Sequence, residues 1–202
     1  MAGYSRWANL RHRLGALDKR PSGEAAGLRP QPRATQGRSV LYEGYGPGDV
    51  AVLVECVTAD RRRTAAALRH LFRAHGSYLG ADGSVAYLFN PVGLLTFAPG
   101  TAREPLVGLA LEAGAEDVIV NEDGSIEVLT DPIELESVRA ALSGAGFAAA
   151  DVERTLRAWS AIKLSVSEAG ELVRLLAALE GQDDVQSVYT NAEIPDEVLA
   201  GI

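Results

Sequence analysis

Cysteine is almost missing from this 202-residue chain: Cys56 stands alone. No intramolecular disulfide can form, and a zinc site built on cysteines is excluded, which fits a reducing cytoplasm. Histidine is scarce as well, with His12, His70 and His75 only. His70 and His75 lie five apart, a spacing that does not place two imidazoles on one helix face. No apolar run approaches the ~20 residues of a membrane span. The first residues, Met1 to Trp7, lack the apolar stretch of a signal peptide. Lysine occurs twice against 17 arginines. Aromatic residues make up 6% of the chain.

What is present is globular: 47% hydrophobic and 23% charged residues exclude wholesale disorder. The net charge of -8 is unevenly spread. Residues 1–73 carry +7 and residues 74–202 carry -15. A basic head on an acidic body confines any nucleic-acid contact to the head.

Periodicity divides the chain. Trp7, Leu10, Leu14 and Leu17 recur at helical spacing and predict a helix over 5–20, with Arg6, Arg13 and Arg20 stacked beside that stripe. Residues 21–39, rich in proline and glycine, predict a linker or arm. From Leu41, a glycine turn at 44–48 leads to a buried strand over 51–57. Asp60 caps a helix over 61–75 that Gly76 stops. Strands over 84–89 and 94–97 follow, joined around Pro91-Val92-Gly93. Ser165 and Glu168 form a capping box for a helix closed by Gly181, and a strand covers 185–189. These pieces give the order β-α-β-β…α-β. The residues between them read as helix 103–113, hairpin strands 117–120 and 125–129, helix 133–143 and strand 150–158.

The expected fold is α+β: two small modules of split βαβ (ferredoxin-like) type, one inserted in the other, plus a remnant N-terminal helix. Expected boundaries are a basic helical arm and linker over 1–40, a first domain over 41–99 and 166–202, and an inserted domain over 100–165.

Enzyme signatures are sparse. There is no Gly-x-Ser-x-Gly, no His-Glu-x-x-His and no Cys/His pair. The glycine turn is followed by Asp49 and a strand, where a phosphate loop needs lysine and a helix, so it reads as a turn. The acids Asp183, Asp184, Glu193, Asp196 and Glu197 lack the calcium-loop spacing and read as a solvated face. Cys56 reads as core. No catalytic residue, metal ligand or cofactor motif is found.

Two basic constellations remain. The first is Arg6, Arg13 and Arg20, with Arg11, Lys19 and Trp7 on the same segment. The second is Arg61, Arg62, Arg63, Arg69 and Arg73 on the 61–75 helix. At 100° per residue, Arg62, Arg69 and Arg73 fall within ~40° of one another, a third of a turn from the Leu68/Leu71/Phe72 face. Arginines so placed suit phosphate clamping.

Several blocks together resemble the YebC/PmpR family, which includes mitochondrial translational activators. They are Met1 to Arg13, Tyr42-Glu43-Gly44-Tyr45-Gly46-Pro47-Gly48, Asp60 to Ala65, Leu79 to Phe89, Ala110 to Val118 and Asp183 to Asn191. The resemblance implies a three-domain, cytoplasmic, non-enzymatic regulator of gene expression that binds DNA, with no small-molecule substrate and no membrane partner. One alternative is a ribosome-associated translation factor contacting ribosomal RNA. Another is a protein-interaction module that has lost nucleic-acid binding. The sequence departs from the family after Lys19-Arg20, where further helices of the first domain are absent and the 21–39 stretch stands in their place. Tyr4 replaces a usual histidine, and Asp49 a glycine.

Overall fold

The computed structural model of the protein describes residues 37–121 and 123–199. The expected helix over 5–20, with Arg6, Trp7, Arg11, Arg13, Lys19 and Arg20, lies outside the described residues, as does most of the expected arm. The described chain forms two compact units, one made of residues 37–88 and 158–199, the other of 89–157.

The first unit opens with β1 (Arg38–Tyr45) and β2 (Ala51–Thr58), an antiparallel hairpin in register from Arg38↔Thr58 to Tyr45↔Ala51. Helix α1 (Arg61–Ala74) and the short β3 (Tyr78–Leu79) follow. After the insertion come β8 (Ile162–Lys163), α4 (Val166–Glu180), β9 (Val185–Thr190), β10 (Ala192–Glu193) and α5 (Asp196–Leu199). The main sheet has the order β3-β1-β2-β9, with every neighbouring pair antiparallel. β2 and β3 are therefore parallel, with β1 between them and α1 connecting them: a split βαβ.

The expectation is corrected on one strand. The inner partner of β2 is β1, and residues 84–88 are no strand but a loop ending in a 3-10 turn at Ala86–Leu88, with Phe89 opening the next strand. β1 escapes a sequence reading because Gly44 looks like part of the turn. It lies within the strand, where a Cβ would sit 2.6 Å from the Phe72 ring. The reversal itself spans Pro47–Asp49, with Gly48 at φ +71°.

Alternation along these strands sends Val40, Tyr42, Val52, Val54, Cys56 and Val188 to one face. There they meet Leu68 and Phe72 of α1 and Leu172, Leu175, Leu176 and Leu179 of α4. Cys56 is fully buried, as expected. Burial, with Asp184 and Glu55 nearby, pushes its thiol up to about 12.

The second unit runs β4 (Phe89–Phe97), α2 (Arg103–Glu112), β5 (Asp117–Val120), β6 (Ile126–Thr130), α3 (Leu135–Gly144), β7 (Asp151–Ala158). This is β-α-β-β-α-β, with sheet order β5-β6-β4-β7. Its own core gathers Leu95, Phe97, Leu106, Ala110, Ile126, Val128, Leu135, Val138 and Leu142. The expected boundaries at 99/100 and 165/166 move to 88/89 and 157/158, because β4 is the first strand of this unit. Pro91-Val92-Gly93 is strand, not turn. Pairing with β6 starts at Gly93↔Thr130, after the proline, so no N–H is missing from that ladder. Gly93 is needed for close approach: a Cβ there would run into the side chains of Thr130 and Leu135.

Candidate nucleic-acid interface

Helix α1 is set by its ends and its inner stripe. Asp60 Oδ1 accepts from the N–H groups of Arg62 (3.0 Å) and Arg63 (3.1 Å), satisfying two donors that a helix start leaves open. His75 forms the C-cap and Gly76 follows at φ +66°. Thr64, Leu68 and Phe72 are buried. Burying that stripe fixes the helix rotation and leaves Arg62, Arg69 and Arg73 exposed.

The five arginines of the helix are not equivalent. Arg63 Nη2 donates to both carboxylate oxygens of Asp184, at 3.1 and 3.3 Å. Arg61 Nη2 lies 3.6 Å from Asp82 Oδ2, with both side chains exposed. Arg62, Arg69 and Arg73 form no ion pair with another described residue. They are eleven residue steps apart end to end, about 16 Å along the axis.

Asp184 corrects the reading of the C-terminal acids as a solvated face. Its side chain is 14% exposed. The Thr64 hydroxyl donates to Asp184 Oδ2 at 2.6 Å, and Thr64 Oγ1 is 2.8 Å from Thr58 Oγ1. The Thr64 hydrogen bond first, then Arg63, outweigh partial burial and hold the Asp184 carboxyl below its ordinary range. Asp184 thus ties the start of β9 to α1. A cavity of about 260 Å³ beside it is lined by Arg63, Ala67, Leu68, Gln182 and Asp183, with Thr64 and Asp184 themselves. It is below the usual size of a small-molecule site. Among the described residues, no group of three His, Cys, Asp or Glu side chains could hold a metal ion. No helix among them is long and apolar enough to cross a membrane.

A second feature has no counterpart in the sequence reading. Glu43, on the sheet face turned away from the helices, is buried at 6% exposure. Its carboxylate accepts the backbone N–H groups of Gly83, Val85 and Ala86, the last two at 2.7 Å, while its carbonyl accepts from Gly80. Burial raises its pKa, but the three N–H bonds outweigh that and leave the carboxyl below its ordinary range. The loop after β3 is thereby pinned to the sheet. Tyr87 near its end and Trp159 are both exposed, and the Trp159 indole N–H donates to the Tyr87 carbonyl at 3.3 Å. The Trp159 backbone N–H donates to the Leu88 carbonyl at 3.1 Å. An acid inside an apolar strand was the one available sign of Glu43. No linear pattern marks Tyr87 or Trp159.

A family model described as the TACO1/YebC second and third domain matches residues 37–192. The chain is 40% identical to a "Probable transcriptional regulatory protein" of Methylococcus capsulatus, covering 99% of both chains. It is 37% identical to a protein of the same description from Shewanella oneidensis, covering both chains completely. These alignments run over 245 and 247 positions, more than the 202 residues here, so each relative carries a stretch with no counterpart in this chain. A solved structure, a conserved hypothetical protein of Aquifex aeolicus, superposes with a TM-score of 0.72 at 37% identity, over 96% of this chain and 78% of the other. By sequence along its whole length and by fold, the chain belongs to the TACO1/YebC family.

Proposed function

We propose that this protein is a non-enzymatic regulator of gene expression that binds DNA, with the exposed face of α1 as its phosphate-contacting surface. The observation that carries the reading is the Arg62/Arg69/Arg73 stripe: three guanidinium groups on one rigid helix, exposed, and not neutralised by any described carboxylate. Arginine's planar fork suits phosphate oxygens, and a protein contacting phosphates needs cations that internal pairs have not consumed. Arg63, held by Asp184, serves the fold first. The names of the bacterial relatives agree with a regulatory role. The basic segment over 6–20 adds a second set of cations through Arg6, Arg11, Arg13, Lys19 and Arg20.

The test is the salt dependence of duplex DNA binding by the full chain and by the triple variant R62A/R69A/R73A. Each lost phosphate contact reduces the slope of log K against log salt by ~0.9, so the variant loses about 2–3 units. The weakening is uniform across sequences, since phosphate contacts carry no base information. An unchanged slope with unchanged circular dichroism refutes the reading. Co-sedimentation with ribosomes in place of DNA binding would move the target to ribosomal RNA.

A further inference from the structure

The three exposed aromatic side chains among the described residues, Tyr78, Tyr87 and Trp159, all border one loop, and nothing in the arginine reading uses them. They are 52%, 67% and 61% exposed. Tyr78 and Trp159 are anchored by contacts of their side chains, and Tyr87 by its backbone. Tyr78 stacks on Tyr45 with centroids 5.0 Å apart, and the Tyr45 hydroxyl donates to the Ser84 carbonyl at 3.0 Å. Trp159 is fixed through its indole and backbone N–H groups to Tyr87 and Leu88. The loop carrying Ser84 and Tyr87 is itself fixed by the Glu43 carboxylate. Exposed rings that are anchored at one side lose less freedom than unanchored ones when something stacks on them.

We infer that this loop and its rings form a stacking platform for unpaired bases of single-stranded nucleic acid. The inference extends the nucleic-acid reading above but uses different residues. Every base has a π face, so stacking on aromatic side chains tolerates any sequence. In one widespread RNA-binding module a four-stranded sheet stacks two or three bases on its aromatic residues. Here Tyr45 and Tyr78 lie on the sheet face away from the helices. The neighbouring positions of that face hold Glu43 and Leu53, so the platform is displaced toward the β3 edge and the loop. The cation at its rim is Arg61. Its exposed pairing with Asp82 at 3.6 Å is worth little, so a phosphate can take Asp82's place.

The experiment uses the full chain, and the Trp159 signal is the part of its fluorescence that Trp159→Phe removes. Oligo-dT, oligo-U and an abasic oligonucleotide of equal length are titrated against its fluorescence. Quenching by oligo-dT or oligo-U but not by the abasic strand is the expected result, and the stronger of the two identifies DNA or RNA as the source of the bases. Tyr87→Ala and Trp159→Ala each weaken single-strand binding about five- to hundred-fold, with the salt slope unchanged. Trp159→Phe, which keeps a stacking face, restores most of the affinity. The R62A/R69A/R73A variant shifts the slope without abolishing the quenching, so the two readings fail separately. Equal affinity for the abasic strand, or alanine variants that bind normally and fold normally, would overturn the platform. So would a basic peptide that quenches Trp159 where oligonucleotides do not, which would make the rings a protein-docking surface.

Discussion

Glu43 shows how much one side chain can organise. Left unpaired in a buried position, a carboxylate is costly; here three backbone N–H groups converge on it and fix a loop that has little regular structure of its own. Glu43→Gln keeps the shape but removes the charge and turns one amide N–H₂ toward a donor. Hydrogen bonds to charged groups contribute about 1.5–3 kcal/mol, so the variant should lose about 2–3 kcal/mol at pH 7. The sign with pH follows from the lowered folded-state pKa. The contribution is complete above the unfolded value of about 4.3 and is lost as pH falls through the lower folded value. Urea denaturation should therefore give a gap between parent and variant that is full at pH 7 and narrows steadily below pH ~4. A gap that stays constant down to pH 3 would mean the carboxylate is not what pins the loop.

The elements were more legible than the individual contacts, for reasons that differ from one to the next. Helices α1 and α4 carry their own signals. Asp60 caps one, and the Ser165/Glu168 box caps the other with reciprocal bonds, Glu168 Oε2 accepting from Ser165 N–H at 2.9 Å. The hairpin of β5 and β6 was visible in its alternation and its Gly124 turn. β1 and the first half of β4 were not, although residues 94–97 read as strand, because glycine has two uses that look alike in one dimension. Gly44 and Gly93 sit in strands to let a ring or a threonine come close, while Gly48 supplies a positive φ. The Glu43 and Asp184 carboxylates bind groups 40 or more positions away, and no local pattern encodes such pairings. The capping box permits a direct check. Ser165→Ala removes the acceptor for Glu168 N–H and one donor to its carboxylate, a loss of about 1 kcal/mol. For a protein of this size that lowers Tm by roughly 2–4 °C, measurable by calorimetry. No change would place the stability of α4 in its leucine face alone.

At the scale of the whole molecule the chain divides into two units, with boundaries at 88/89 and 157/158. The sheet of each unit follows the same plan, and each has its own buried cluster. Charge is also distributed at this scale. The cations proposed to meet phosphate lie in the first 73 residues, and the remainder carries the net -15.

The hydrogen bond from Trp159 to Leu88 has a topological consequence. The chain leaves the first unit just after Leu88 and re-enters just before Trp159, and these two residues touch as neighbouring strands do. Residues 89–157 are therefore a loop whose mouth is already closed. Loops with adjacent ends can be lengthened, exchanged or removed at small entropic cost. Replacing residues 89–157 by a few glycines should leave a smaller protein that folds cooperatively, with Trp159 still in place, and the excised piece should fold on its own β-α-β-β-α-β plan. Circular dichroism and urea melts of the two fragments decide it; a molten remainder would mean that the halves need each other. If both fold, the Leu88–Trp159 bond marks a socket, a position where this scaffold can accept a domain without being rebuilt around it.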